Sequence, residues 1–280
     1  MTPALDLDFA KELADIAGDI IRGYFRADFD TESKGDESPV TQADREAEAA
    51  MRARIESAFP ADGIVGEEYG TVRADAERIW VLDPIDGTVS FMAGRPIFGT
   101  LIAQLRSGFP VLGVIDQPIA RERWAGAIGA PTRFLRNGGR DEDRPARTRR
   151  CRELKDAVLA TTSPNLFSHE EGHRFMALAA QTAHSRMVYG GDCYNYGLLS
   201  SGHIDLVVES GLKLHDFAAL VPLVEGAGGM MCDWNGDPLT ADSEGHVIAL
   251  GDPARLEDVL AALHGHVHDD EHHHGHDHGD

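Results

Sequence analysis

Leu5, Phe9, Leu13, Ile16, Ile20 and Phe25 recur every three to five residues, which lines them up on one stripe of a helix over about residues 5–26. The stretch Thr31 to Val40 breaks that rhythm: it is polar, carries Gly35 and Pro39, and reads as a loop. A second helix is predicted from Thr41 to Phe59, with Asp44 in its first turn. Arg78-Ile79-Trp80-Val81-Leu82 is a short apolar run that reads as a buried strand ending at Asp83-Pro84. Apolar runs at 98–105, 111–115 and 132–135, set apart by Gly and Pro, are expected to be further strands of one sheet.

Beyond a charged, proline-containing connection at 137–150 the pattern alternates. Strands are predicted at 157–161, 186–190, 204–208 and 247–250, and helices at 169–182, 193–201, 216–226 and 253–264. There is no internal repeat. The expected fold class is α/β (α+β), with helices layered against two sheets. It divides into subdomains 1–150 and 151–263, with a disordered, His-rich tail at 264–280.

Composition changes this picture in two places. The formal charge of −21 makes nucleic acid and anionic membranes poor partners. Eight of the 14 histidines fall in the tail, interleaved with acids, a composition that binds Zn²⁺ or Ni²⁺ loosely. Asp6, Asp8, Lys11, Glu12 and Asp15 interrupt any signal-peptide core, and no stretch has the roughly 18–20 uncharged apolar residues of a membrane span. Cys151, Cys193 and Cys232 are widely spaced and odd in number, as expected of reduced cytoplasmic thiols.

The sharpest chemical feature is Asp83-Pro84-Ile85-Asp86-Gly87-Thr88, directly after a hydrophobic strand. Proline keeps Asp83 extended and Asp-Gly favours a turn, so two carboxylates and the Ile85 carbonyl converge at a strand end. Hard oxygen ligands of that kind suit Mg²⁺, and backbone N–H groups from Gly87-Thr88 could hold a phosphate beside them. Four letters of D-x-x-D-G alone would fit a surface turn equally well. Likewise, Gly66-Glu67-Glu68 follows the apolar Ile64-Val65, Asp216 alone could be a helix N-cap, and Lys34 and Asp44 alone could be a solvated lysine and a first-turn aspartate.

Taken together and in this order, K-x(4)-PVTxAD from Lys34, GEE at 66–68, the strand with DPIDGT, and D-x-A-A at Asp216 followed by Glu225-Gly226-Ala227-Gly228-Gly229 resemble the inositol monophosphatase family of metal-dependent, lithium-sensitive phosphatases. The resemblance implies a layered α/β/α/β sandwich and a homodimer. It implies that Glu67, Asp83, the Ile85 carbonyl, Asp86 and Asp216 bind two or three Mg²⁺ ions. Asp44 and Thr88 would then form a hydrogen-bonded pair that, with Glu67, orients or deprotonates an attacking water. The metals and the Gly87-Thr88 amides would hold the phosphoryl group of a small-molecule phosphate monoester.

Within the family, Thr161-Thr162-Ser163-Pro164, Tyr189-Gly190-Gly191-Asp192-Cys193-Tyr194 and Asp205-Leu206-Val207-Val208-Glu209, with the Leu-x-x-x-Asp approach to Asp216, look like the histidinol-phosphate phosphatase branch of histidine biosynthesis. Inositol-specific members usually carry Trp before this Asp; here it is His215, expected in a pocket wall or the core. Histidinol phosphate carries an ammonium and a protonatable imidazole, which calls for carboxylates, and Asp192 and Glu209 are the candidates. Asp192 could instead cap the helix at 193–201, and Glu209 could bind a sugar hydroxyl. Two other functions stay open on sequence: hydrolysis of inositol phosphate or a related sugar phosphate, and a non-enzymatic metal buffer working through the tail.

Overall fold

Two sheets of unequal size, separated and flanked by helices, make up the protein. The computed structural model describes residues 3–27 and 39–265. Lys34 and nearly all of the His-rich tail fall outside the described residues. The first sheet has eight strands in the order β2-β1-β3-β4-β5-β6-β7-β8. These are β1 Gly63–Gly66, β2 Gly70–Val72, β3 Arg78–Asp86, β4 Gly99–Arg106, β5 Phe109–Gln117, β6 Glu122–Ala127, β7 Arg133–Arg136 and β8 Glu142–Pro145. The second has five, in the order β10-β9-β11-β13-β12, formed by β9 Leu159–Thr161, β10 Val188–Tyr189, β11 Leu206–Glu209, β12 Met230–Cys232 and β13 Val247–Leu250.

Alternation along the strands decides which helices each face receives. Trp80, Leu82, Ile102, Leu112 and Val114 bury one face of the large sheet against α1 (Pro3–Tyr24) and α2 (Pro39–Ala58), through Phe9, Leu13, Ile21, Ala47 and Met51. Val81, Leu101, Ala103, Ile115 and Trp124 bury the other face against α5 (Asp192–Ser200), α6 (Leu214–Phe217) and α7 (Leu220–Gly226). The same central core takes Ala160, Val207 and Ala249 from the small sheet. The far side of that sheet packs on α4 (His169–Ala179) and α8 (Leu256–His264) through Phe175, Leu178, Val259 and Leu263. The layered α/β/α/β arrangement expected from the sequence is therefore present, with α4 and α8 as an additional outer layer. A short helix α3, Thr88–Met92, follows β3 directly.

Several boundaries differ from the sequence reading for physical reasons. The second helix starts at Pro39, not Thr41, because proline is well tolerated in a first turn. The strand expected to end at Asp83-Pro84 runs on to Asp86, with a register irregularity between Asp83 and Asp86 that absorbs the missing proline donor. The Pro84 carbonyl is tied to Thr100 Oγ1 at 2.8 Å. The helix expected over 216–226 is two helices, α6 and α7, because Pro222 has no N–H to give and its ring collides with the carbonyl four residues back. The connection at 137–150 contains β8, a mostly exposed edge strand with charged side chains, which hides its period from a hydrophobicity reading. His264, placed at the start of the tail, ends α8 and its Nε2 lies 2.7 Å from the Trp234 carbonyl oxygen.

Candidate active site

The site lies where the end of β3 faces the central helix layer. Residues three apart on a regular strand face opposite sides of the sheet. The irregularity between Asp83 and Asp86 turns the second carboxylate back towards the first. Asp216, in α6, meets them across the layer, and one carboxylate oxygen from each of Asp83, Asp86 and Asp216 lies within 4.8 Å of the others. The position of α6 depends on Gly113 in β5: a Cβ there would sit 1.9 Å from the Ala219 carbonyl oxygen, so only glycine lets the α6–α7 junction rest on the sheet.

Local hydrogen bonds aim each carboxylate. Asp216 Oδ2 accepts from the Lys213 N–H at 2.7 Å, which locks the first turn of α6; the N-cap is Lys213, and Asp216 sits at the third helical position rather than at the cap expected from the sequence. Asp86 Oδ2 accepts the Cys193 N–H at 2.5 Å, at the start of α5. Asp83 is buried with Oδ1 lacking any hydrogen-bond partner among the described residues. Burial holds its carboxyl well above the usual range, and the neighbouring charges of Asp86, Glu67, Asp216 and Asp44 add to the shift. Asp86 is raised likewise, by burial and then by Asp192 and Asp216, against the pull of Cys193. Buried, unpaired carboxylates that repel one another are costly unless a cation joins them. The donor set, hard oxygens with an orphaned buried lone pair, fits a divalent ion such as Mg²⁺.

The remaining residues singled out from the sequence sit at graded distances from this centre. Asp44, on α2, is buried; burial and the charges of Glu67, Glu68 and Glu48 push it up to about 8, against a hydrogen bond from the Ile85 N–H. Thr88 Oγ1 donates to the Ile85 carbonyl at 3.3 Å. The two residues expected to pair thus each bond the Ile85 main chain, Asp44 at its N–H and Thr88 at its carbonyl, in place of each other. Glu67 is exposed and outside the Asp83–Asp86–Asp216 cluster, although its charge acts on both Asp83 and Asp44. Its loop is held by Glu48, whose fully buried carboxylate accepts from the Glu68 N–H at 2.8 Å and the Tyr69 N–H at 3.2 Å. Glu48 was missed in the sequence; its position one helical turn after Asp44, on the same face, was the available signal.

Gly87 has φ 93°, and a Cβ on it would meet the Asp192 carboxylate at 2.7 Å, so Asp192 lies directly over the DPIDGT turn. Asp192 Oδ2 accepts from Ser90 Oγ at 3.1 Å. Burial raises its pKa, with Ser90 and Arg95 opposing. Glu209, at the end of β11, is 2% exposed and its Oε1 accepts from both the N–H and Oγ1 of Thr162 at 2.9 Å. Burial nevertheless pushes Glu209 up to about 7, with Asp192 and Asp216 adding to the shift. Asp86, Asp192, Glu209 and Asp216 line one small cavity together with Thr162 and Tyr196. His215 is outside it; its Nε2 stands 3.4 Å from Asp216 Oδ1.

A cluster of carboxylates suited to a hard cation, set at a strand end between two sheets and beside an acidic pocket, is the kind of arrangement that metal-assisted hydrolysis calls for. The chain belongs to the inositol monophosphatase family, whose sequence profile matches residues 5–268, and it is a phosphoric monoester hydrolase. It is 47% identical over 270 residues to the bifunctional phosphatase IMPL2 of Arabidopsis thaliana chloroplasts, covering 91% of this chain and 73% of that protein. It is 36% identical over 266 residues to the histidinol-phosphatase of Chlorobaculum parvum, covering 94% and 97%. Among solved structures, an inositol monophosphatase from Zymomonas mobilis superposes with a TM-score of 0.85 at 53% identity, covering 94% and 99%. No helix among the described residues is long and apolar enough to cross a membrane.

Proposed function

We propose that the protein hydrolyses histidinol phosphate to histidinol and inorganic phosphate with Mg²⁺ as cofactor. The observation that carries this reading is the shared cavity: Asp192 and Glu209, the carboxylates suited to a cationic leaving group, stand beside Asp86 and Asp216 of the metal centre. Asp83, Asp86, Asp216 and the Ile85 carbonyl would hold the metal, with Glu67 turning in from its exposed position. A divalent ion bound there supplies positive charge that acidifies water and stabilises a departing oxygen.

The chain's own groups then have distinct parts. Asp44 would accept a proton from the attacking water and Thr88 would orient that water, a reading supported by an Asp44 Oδ1 that is buried without a partner among the described residues. The backbone N–H groups of Gly87 and Thr88 hold phosphoryl oxygens. Asp192 and Glu209 hold the ammonium and imidazole of the alcohol, which separates this substrate from a neutral ester. A homodimer, by family analogy, and loose Zn²⁺ or Ni²⁺ binding by the tail, by composition, complete the proposal, with the cytoplasm as its setting.

Inositol phosphate is the second reading, favoured by the 53% identity to the Zymomonas mobilis inositol monophosphatase. A panel of phosphomonoesters assayed with Mg²⁺ separates the two. The expected result is the highest kcat/KM on histidinol phosphate; a higher value on inositol phosphate overturns the substrate and leaves the phosphatase.

A further inference from the structure

Tyr196 lines the cavity with a polar side chain that the mechanism above leaves without work. Its ring is packed in the central core and the side chain is 2% exposed. Its hydroxyl is buried and has no hydrogen-bond partner among the described residues. A buried hydroxyl without a partner destabilises a fold, and phenylalanine would fill the same space without that cost. Tyrosine at this position therefore points to a partner that arrives from outside the protein.

The surroundings specify the partner's chemistry. Tyr196 follows Asp192 by one turn of α5, so the two share a face of that helix, and the Cys193 N–H bond to Asp86 fixes the helix against the metal centre. The cavity that Tyr196 lines with Glu209, Asp192, Thr162 and Asp216 is about 60 Å³, several times what one water needs. Burial and then the charges of Glu209, Asp86 and Asp216 hold the phenol's pKa well up, so it is neutral at pH 7. A neutral phenol can accept a hydrogen bond as well as give one. Of the lining carboxylates, Asp86 and Asp216 go to the metal, and the guest that satisfies the other two, Asp192 and Glu209, together with the phenol is a nitrogen cation with several N–H donors.

We propose that Tyr196 is a specificity-determining residue, its phenol oxygen accepting a hydrogen bond from the cationic nitrogen of the substrate's leaving group beside Glu209. This rests on the histidinol-phosphate reading and extends it to a residue outside the carboxylate set.

The test is Tyr196→Phe, assayed with Mg²⁺ on histidinol phosphate and on its deaminated analogue, imidazolyl-propanol phosphate at a pH where the ring is neutral. Calorimetric binding of histidinol and a thermal melt accompany the kinetics. The expected result is a roughly 10-fold or greater rise in KM for histidinol phosphate, with weaker histidinol binding, as for loss of one hydrogen bond to a charged group. The deaminated ester and kcat should change little, and the melting temperature should hold or rise, because the removed hydroxyl had no partner in the fold. Unchanged kinetics, equal losses on both esters, or a lowered melting temperature with no change in selectivity overturns the proposal. If the wild type does not hydrolyse histidinol phosphate, the parent reading falls and this one with it. That outcome is distinct, since it is read on the wild type alone.

Discussion

Replacing Glu209 with Gln changes one atom's chemistry in a site whose geometry is otherwise fixed. Oε1 takes both hydrogen bonds from Thr162, at 2.9 Å each, and the glutamine carbonyl can keep them. What is lost is the negative charge that would face a cationic leaving group. A hydrogen bond to a charged partner contributes about 1.5–3 kcal/mol, so kcat/KM on histidinol phosphate should fall about 10- to 150-fold. The fold should not suffer: burial already disfavours the ionised acid, pushing its pKa to about 7, so a neutral amide removes a desolvation cost. Steady-state kinetics at saturating Mg²⁺ on histidinol phosphate and inositol phosphate, with a thermal melt of the variant, provide the check. Inositol phosphate, whose leaving group carries no cation, should lose far less. Equal losses on the two substrates would refute the reasoning, because Glu209 would then serve the phosphate centre or the fold.

Asp83→Asn and Asp86→Asn should each nearly abolish Mg²⁺-dependent turnover while the melting temperature holds or rises, since each relieves mutual repulsion in the metal-free protein; near-normal turnover would remove that residue from the metal set. Burial works against ionised Glu171, yet bonds from Ser210, Ser168 and His246 prevail and hold its pKa down to about 2, below its ordinary 4.5. A depressed carboxyl stabilises the fold above its unfolded pKa and stops doing so as pH falls through the folded one. The stability gap between wild type and Glu171→Gln, measured by urea unfolding, should therefore shrink as pH drops from about 4.5 to about 2, and a constant gap would refute it. Removing 266–280 should leave kcat with Mg²⁺ nearly unchanged and reduce retention on immobilised Ni²⁺; the cut falls after Gly265 because His264 belongs to α8.

The long amphipathic helix at the start and four strands of the large sheet, β3, β4, β5 and β7, were legible because their apolar residues mark them: Leu13 and Ile21 on α1, or Trp80, Val81 and Leu82 on β3. β1 is only four residues long, and β6 is buried mostly through Ala125, Gly126 and Ala127, with Trp124 its one large apolar residue, so neither was expected. β2 is three largely exposed residues and β8 is a charged edge, so neither has an apolar face to betray it. The strand expected over 186–190 shrinks to Val188–Tyr189, because the chain before it turns at 184–186. Pro222 was visible in the sequence, but its effect on α7 depends on the preceding turn being helical at all.

The chemistry followed a similar division. DPIDGT could be read because the hexamer is local, and the structure brings Asp83 and Asp86 together within it. Asp216 joins them only through tertiary geometry, and the residue that permits this, Gly113, looks in the sequence like any strand glycine. Its function appears only when β5 and the α6–α7 junction are superimposed: with the Ala219 oxygen 1.9 Å from where a Cβ would stand, any side chain must push α6 away from the sheet. Asp216 would move with it, and the carboxylate oxygens now within 4.8 Å of one another would part. The carboxylate cluster is thus set by helix–sheet spacing as much as by the residues that form it. That spacing is a long-range backbone property, carried by a residue with no side chain to advertise it.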